Sequence, residues 1–424
     1  MTVSTRYPFT NASGKDLRYK KARRKPMNRV RGVAHPVISE VEIVVIGGGV
    51  VGTCLAAFLA EGGTEVACVD DSHHSGSTAN AGSLHVQMQS RNIRLSPHLI
   101  PNLEQALPMY PRAVEAWKEL AVHLDADIEL KVEGGLMVAE NSEQLEFLSQ
   151  KCARERQLGL NVEMLDRAQI ERIAPYLATS VVGAEFCANE GKVNPLLANP
   201  AIKRLAQNSG VRFFRKLRID SIEIRSNDVR LHTQEGSIGA SRIAIAAGSG
   251  AGRLAKQLGI HIPTLAEPLH MNVTEPTISM IPHLVQHAEH SITMKQLAAG
   301  NIIIGGGWPA EFSGPNDHPT VRMNSLIGNL LLARSVVPAI NSLRLIRTWA
   351  GVNSITDGRS VLGSAEGLGQ VFFALPGDAG YTLGPLCARL VADTMQNRAP
   401  ELSIEDYSPM RFTEDYKRMN KETL

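Results

Sequence analysis

The sequence predicts an α/β (α+β) fold in which a discontinuous Rossmann-like domain carries an inserted antiparallel-sheet domain. Three observations predict it. Residues 42–71 form a complete strand, glycine turn, helix and second strand. Strand-and-helix sequence of the same kind returns after residue 211 and again near residue 369. The segments between these blocks read as helical pieces and short strands separated by Gly, Pro and Asn turn signals.

The first unit reads EIVVIGGGVVGTCLAAFLAEGGTEVACVDD. Its apolar run Ile43–Ile46 suits a strand buried on both faces. Gly47, Gly49 and Gly52 occupy the three slots of G-x-G-x-x-G. The first permits the tight turn, the second lets backbone approach a pyrophosphate, and the third brings helix and strand together. The helix then starts under the phosphates, with free N–H groups and its positive dipole end toward the anion. Asp70 ends the second strand, where a carboxylate accepts hydrogen bonds from a ribose. With both strands, the helix and the acid in register, the motif predicts dinucleotide binding.

Beyond this unit, residues 101–180 look helical in several pieces, interrupted by a strand-like pair, IELKVEGGLMVAE, with Gly134-Gly135 as its turn. A helix follows Asn194-Pro195 and closes at Gly210. VRFFRK, IDSIEI, VRLHTQ and SRIAIAAG are strands, and GQVFFALPG is the last strand before a glycine-rich loop and a helix starting near Gly384. The boundaries expected are a basic tail at 1–40, a dinucleotide-binding domain at 41–90, 190–255 and 350–424, and a second domain at 91–189 and 256–349.

Composition narrows the class. The 424 residues are 43% hydrophobic and 20% charged, ordinary for a globular chain. No apolar run approaches the roughly 20 residues of a membrane span, and the first 40 residues hold no signal-like apolar core. Five scattered cysteines offer no disulfide framework, zinc site or iron–sulfur ligand set, which points to the reducing cytosol. Residues 1–40 hold ten Lys/Arg against two Asp/Glu, so the remainder is net acidic. The stretch Lys20–Arg31 reads as a solvated extension, or as an arm for an acidic partner or membrane surface. No nucleic-acid recognition motif accompanies it, so nucleic acid is not an expected partner, and no metal site is expected.

From Val41 to Arg411 the chain resembles the FAD-dependent D-amino-acid, glycine and sarcosine oxidase superfamily. Within it, the sequence is similar to the catalytic B subunits of opine (octopine/nopaline) oxidases and the C subunit of hydrogen cyanide synthase. The stretches that carry the resemblance are Gly47–Gly52, GSTANAGSLH (Gly76–His85), EGGLMVAE (Glu133–Glu140), EGKVNP (Glu190–Pro195), IAIAAG (Ile243–Gly248), VTEP (Val273–Pro276), GGGWPA (Gly305–Ala310) and PGDAGYTLGP (Pro376–Pro385).

The resemblance implies a D-amino-acid oxidase/glutathione-reductase-like fold with FAD as cofactor. It implies that Gly47, Gly49, Val51 and Gly52 meet the pyrophosphate, and that Asp70, with Asp71 assisting, takes the adenosine ribose. Ser77, Thr78, Asn80, Ala81, Gly82 and Ser83 match the loop beneath the flavin. Ile219 matches a strand residue whose backbone reads the adenine edge, and Gly248 ends a strand of the cofactor domain. Gly377, Asp378, Ala379, Gly380, Tyr381 and Thr382 match a loop on the N1/O2 side of the ring. His85, His270, Trp308 and Tyr381 are the candidates near substrate. Arg91, Arg347 and Arg359 are candidates for a substrate carboxylate. Lys295 is a candidate for the lysine that promotes reaction with oxygen.

The reaction implied is hydride transfer to flavin N5 from the carbon beside an amine. The expected substrate is a secondary amine or N-substituted amino acid such as an opine, which yields a 2-oxo acid and an amino acid. Partner subunits carrying a second flavin or an iron–sulfur cluster would then take the electrons. The alternative is a stand-alone glycine, sarcosine or D-amino-acid oxidase that produces hydrogen peroxide.

Overall fold

The computed structural model describes residues 37–72, 76–314 and 318–412. The basic stretch Lys20–Arg31 lies outside them.

The first sheet is centred on the strand Val37–Ile46. It pairs in parallel with Val66–Asp70 on one side and Ser237–Ile245 on the other. Being central, the strand is buried on both faces from Ile43 to Ile46, which is why its sequence stops alternating there. Arg212–Arg215 extends the parallel order beyond Val66–Asp70, and Leu368–Leu375 extends it beyond Ser237–Ile245. The antiparallel strand Val361–Ala365 closes that edge. The helix Val50–Glu61 is apolar nearly all round, because it lies between the sheet and two further helices, Pro195–Asn208 and Gly380–Met395.

The second sheet has eight strands, in the order Leu345–Ile355, Leu265–Thr274, Ile302–Gly305, Thr293–Gln296, Leu284–His287, Gly135–Ala139, Gly183–Cys187 and Val162–Asp166. It is antiparallel except where Leu284–His287 runs parallel to Gly135–Ala139. The chain passes from the first sheet to the second and back twice. The strand Leu345–Ile355 crosses residue 350 and stays in the second sheet, so the last return to the first sheet begins at Val361.

Three local expectations are corrected. Gly134-Gly135 is not a hairpin turn: residues 128–130 form no strand, and Gly135 opens a strand that pairs with Leu284–His287 and Gly183–Cys187. The two glycines instead make room, since a Cβ on Gly134 would lie 2.3 Å from the Phe186 ring and one on Gly135 1.8 Å from Glu190 Oε2. Ile219 lies in the connection after Arg212–Arg215 rather than in a strand. The last helix starts at Gly380, not near Gly384, so Gly380, Tyr381 and Thr382 form its first turn. Pro385 has no N–H for the Tyr381 carbonyl, and the Trp117 indole N–H donates to that carbonyl at 3.0 Å instead. Among the described residues no helix is long and apolar enough to cross a membrane.

Candidate active site

The glycine turn opens a cleft at the carboxyl end of the parallel strands, the usual ligand position of such sheets. Gly47 has φ +116°, and a Cβ there would lie 2.4 Å from the Ala246 carbonyl oxygen. A Cβ on Gly52 would lie 1.9 Å from the Gly47 carbonyl oxygen, so helix and turn meet only because both residues are glycine. Gly48 faces the Asp70 side chain, and Asp70 and Asp71 both line the cleft. Ile219, Gly248 and Gly377 line it as well, with Gly47, Gly49 and Val51. The Val50 N–H, at the start of the helix, donates to Ser77 Oγ at 2.9 Å.

The segment 76–85 is a four-residue helix, Gly76–Ala79, followed by extended chain. Separate elements fix it. Asn199 Nδ2 donates to the Ser77 carbonyl at 2.9 Å, and Trp349 Nε1 to the Ala79 carbonyl at 2.9 Å. The Gly82 N–H donates to Asn80 Oδ1 at 2.7 Å, and the His85 N–H to Thr382 Oγ1 at 3.1 Å. Gly82 has φ +79°, and a Cβ there would lie 2.1 Å from the Val193 carbonyl oxygen.

A second cleft continues the first. Gly76, Asn80, Val352, Asn353 and Tyr381 line both. Ala81, Ser83, His85, His270, Asp378, Ala379 and Thr382 line the second, together with Arg91 and Lys295. Leu103, Leu107, Leu269, Met271 and Ile303 give it apolar walls.

Charges around this cleft are arranged in pairs. Arg91 is ion-paired to Glu267. The Asp378 carboxylate accepts from Asn92 Nδ2 at 2.7 Å and from Asn353 Nδ2, so two amides hold it in place. Behind the wall, the fully buried Glu190 carboxylate accepts from the N–H groups of Val86 and Gln87 and from the side-chain amides of Gln87 and Gln286. His85 Nδ1 lies 3.8 Å from Glu190 Oε1. His270 is completely buried, and neither ring nitrogen makes a well-formed hydrogen bond. Burial lowers its pKa against the weaker opposing effect of Asn272, which favours the neutral ring. Tyr381 stacks on Trp117 with ring centroids 5.3 Å apart and donates its hydroxyl to Asn199 at 3.0 Å; burial pushes its phenol pKa up.

Some predicted residues are placed elsewhere. Trp308 does not line either cleft; its ring lies against Gly328 in the helix Met323–Val336, and only its carbonyl approaches the site, accepting the His270 N–H at 2.9 Å. Thr78 is exposed and outside both clefts. Arg347 stacks over Trp349, and Arg359 bonds Gln105 and the Asp406 carbonyl, so neither reaches the second cleft. Sequence reasoning gave no role to Glu190, Gln87, Asn92 or Asn353. The one available signal was the position of Glu190 at the head of EGKVNP.

This fold and these joined clefts define a dinucleotide-binding oxidoreductase. Residues 42–394 match the DAO family, FAD dependent oxidoreductase, and the chain belongs to that family. It is 26% identical over 383 residues to the B subunit of opine oxidase from Rhizobium meliloti, covering 88% of this chain and 98% of that one. It is 24% identical to glycine oxidase of Geobacillus kaustophilus (strain HTA426), covering 87% and 97%. The crystal structure of glycine oxidase from Geobacillus kaustophilus superposes with a TM-score of 0.77 at 21% identity, covering 88% of this chain and 99% of that one. The protein is an FAD-dependent oxidoreductase of amine or amino-acid substrates. The glycine cradle that a Cβ would fill, and the acid at the end of the second strand, fit that cofactor.

Proposed function

We propose that this chain is the catalytic subunit of a heteromeric dehydrogenase that oxidises the C–N bond of a secondary amine or N-substituted amino acid such as an opine. The observation that carries this reading is the match to an opine oxidase catalytic component over nearly the whole of both chains. The products would be a 2-oxo acid and an amino acid. Partner subunits holding a second flavin or an iron–sulfur cluster would accept the electrons, since the five cysteines of this chain are all buried and dispersed.

In this reading Gly47, Gly49, Val51 and Gly52 border the pyrophosphate, and Asp70 and Asp71 border the ribose. The segment Ser77–Ser83 and the turn Gly377–Thr382 border the flavin ring. When bound, FAD supplies the hydride acceptor for the carbon beside the amine. The chain's own residues position that carbon and exclude water. Leu269, Met271 and Ile303 give the apolar walls, while the loop bonds to Asn199, Trp349 and Thr382 keep the floor from shifting. His85 and His270 face the substrate, and the neutral His270 ring is able to accept a proton. Asp378 stays ionised without facing the ring as a bare charge because Asn92 and Asn353 hold it.

The test is the fate of electrons after substrate has reduced the purified chain without air. Slow recolouring in air, with fast recolouring by a quinone dye, supports the dehydrogenase reading. Fast recolouring in air with stoichiometric hydrogen peroxide contradicts it and identifies a self-sufficient oxidase.

A further inference from the structure

Lys295 lies on the strand Thr293–Gln296 in the middle of the second sheet. Its cross-strand neighbour is Ile303, and both residues line the second cleft. The lysine is 1% exposed, and its Nζ has no hydrogen-bond partner among the described residues. A permanent ammonium there would be an uncompensated buried charge. Burial holds its pKa well below the ordinary lysine range, and the charge of Lys192 pushes it in the same direction. On its own, therefore, the protein favours neutral Lys295.

The other charged groups around the cleft already have partners. Arg91 pairs with Glu267, and Lys192 pairs with Glu133 at 3.3 Å while donating to the Pro282 carbonyl at 2.7 Å. Asp378 is held by two amides, and Glu190 by four N–H donors beside His85. His270, from Leu265–Thr274, is kept uncharged by its burial. Among the described residues, Lys295 is thus the cleft-lining amine with both an unused lone pair and no counter-ion.

We propose that Lys295 takes the ammonium proton of the incoming substrate and, once charged, becomes the counter-ion of its carboxylate. This rests on the reading that the substrate is an amine bearing a carboxylate. Such molecules arrive as zwitterions near neutral pH. In the step, one N–H bond of the substrate ammonium breaks and one Nζ–H bond forms. The amine lone pair is freed for oxidation, the new ammonium pairs with the carboxylate, and no proton enters from solvent or leaves to it. A single transfer so removes the two obstacles to reaction, a protonated amine and an unpaired buried carboxylate.

The experiment uses a ligand with the carboxylate but no ammonium. Methoxyacetate has an ether oxygen in place of the amine, and pyruvate is a 2-oxo acid of the product class. Either must draw the missing proton from solvent. Calorimetric titration of the flavin-loaded chain, at mildly alkaline pH in buffers of different ionisation heat, should show uptake of about one proton per ligand bound. In Lys295→Met the uptake should vanish and binding should weaken roughly tenfold or more. Lys295→Arg, always charged, should bind the acids without uptake. Flavin content and visible spectrum report that each variant is folded. Binding by the wild type without proton uptake overturns the proposal, as does failure of both acids to bind or persistence of uptake in Lys295→Met. No turnover is involved, so failure of the amine-oxidation reading shows separately, as an absence of flavin bleaching by any amine.

Discussion

The Glu190 carboxylate accepts the backbone N–H of Val86 at 2.8 Å, across 104 residues of sequence. The same carboxylate accepts from the Gln87 N–H and from the side-chain amides of Gln87 and Gln286. These bonds pin the segment that follows His85, and with it one wall of the second cleft. Glu190→Ala leaves four buried donors without their acceptor, at about 1–3 kcal/mol for each one not rescued. The expected outcome is a loss of roughly 3 kcal/mol or more in denaturant unfolding, with weaker substrate binding. A variant as stable as the parent contradicts this role.

Gly52 and Gly47 are in backbone contact, and the contact has a direct consequence for the cofactor. Gly52→Val places a side chain where the Gly47 carbonyl oxygen lies, 1.9 Å from the new Cβ. The turn must open, and the purified variant should be colourless. Gly63, with open space around its Cβ position, serves as a control: Gly63→Asn should stay yellow, since asparagine tolerates its φ of +86°. Absorbance of the flavin against protein measures both.

Lys151 stands between two buried carboxylates, Glu155 at 2.8 Å and Glu185 at 2.7 Å. Burial raises the Glu185 pKa to about 8, against the opposing pull of Lys151. A folded pKa above the unfolded one means that its stabilising contribution is complete below about pH 4, the ordinary range for glutamate. That contribution is lost as the pH rises through about 8. The melting temperature should fall across this window, and Glu185→Gln should flatten the fall. An equally steep fall in the variant contradicts the assignment.

Trp308 tests the boundary of the site. Its ring packs on Gly328, outside both clefts, and its indole nitrogen is buried without a partner among the described residues. Trp308→Phe removes that orphaned donor and keeps an aromatic ring. It should hold kcat/KM within about twofold, and a loss of activity at unchanged stability contradicts this placement.

The nucleotide end of the site was legible because its chemistry is local. A glycine turn, a helix start and an acid at a strand end all lie within residues 47–70. The substrate end was legible only in part. His85, Asn80, Tyr381 and His270 do meet there, but they come from separate segments, and their meeting depends on how the two sheets are joined. Trp308 carried the same kind of signal as His270, a ring-bearing side chain in or beside a stretch typical of the family. One residue of strand phase decides which face such a side chain takes. The helix start at Gly380 was hidden because Pro385 suggests a boundary, whereas the donor that answers its missing N–H is Trp117, far away in sequence. Glu190 was hidden because a buried acid is recognisable only through its donors.

The central claim is that an amine substrate reduces flavin held in the joined clefts. The most direct measurement is anaerobic titration of the purified yellow chain with octopine, nopaline, glycine, sarcosine, D-proline and D-alanine, followed in the visible spectrum. The account predicts that an N-substituted amino acid bleaches the flavin, with octopine or nopaline preferred over glycine. A flavin-saturated chain that none of these amines bleaches, alone or with added partner subunits, contradicts it.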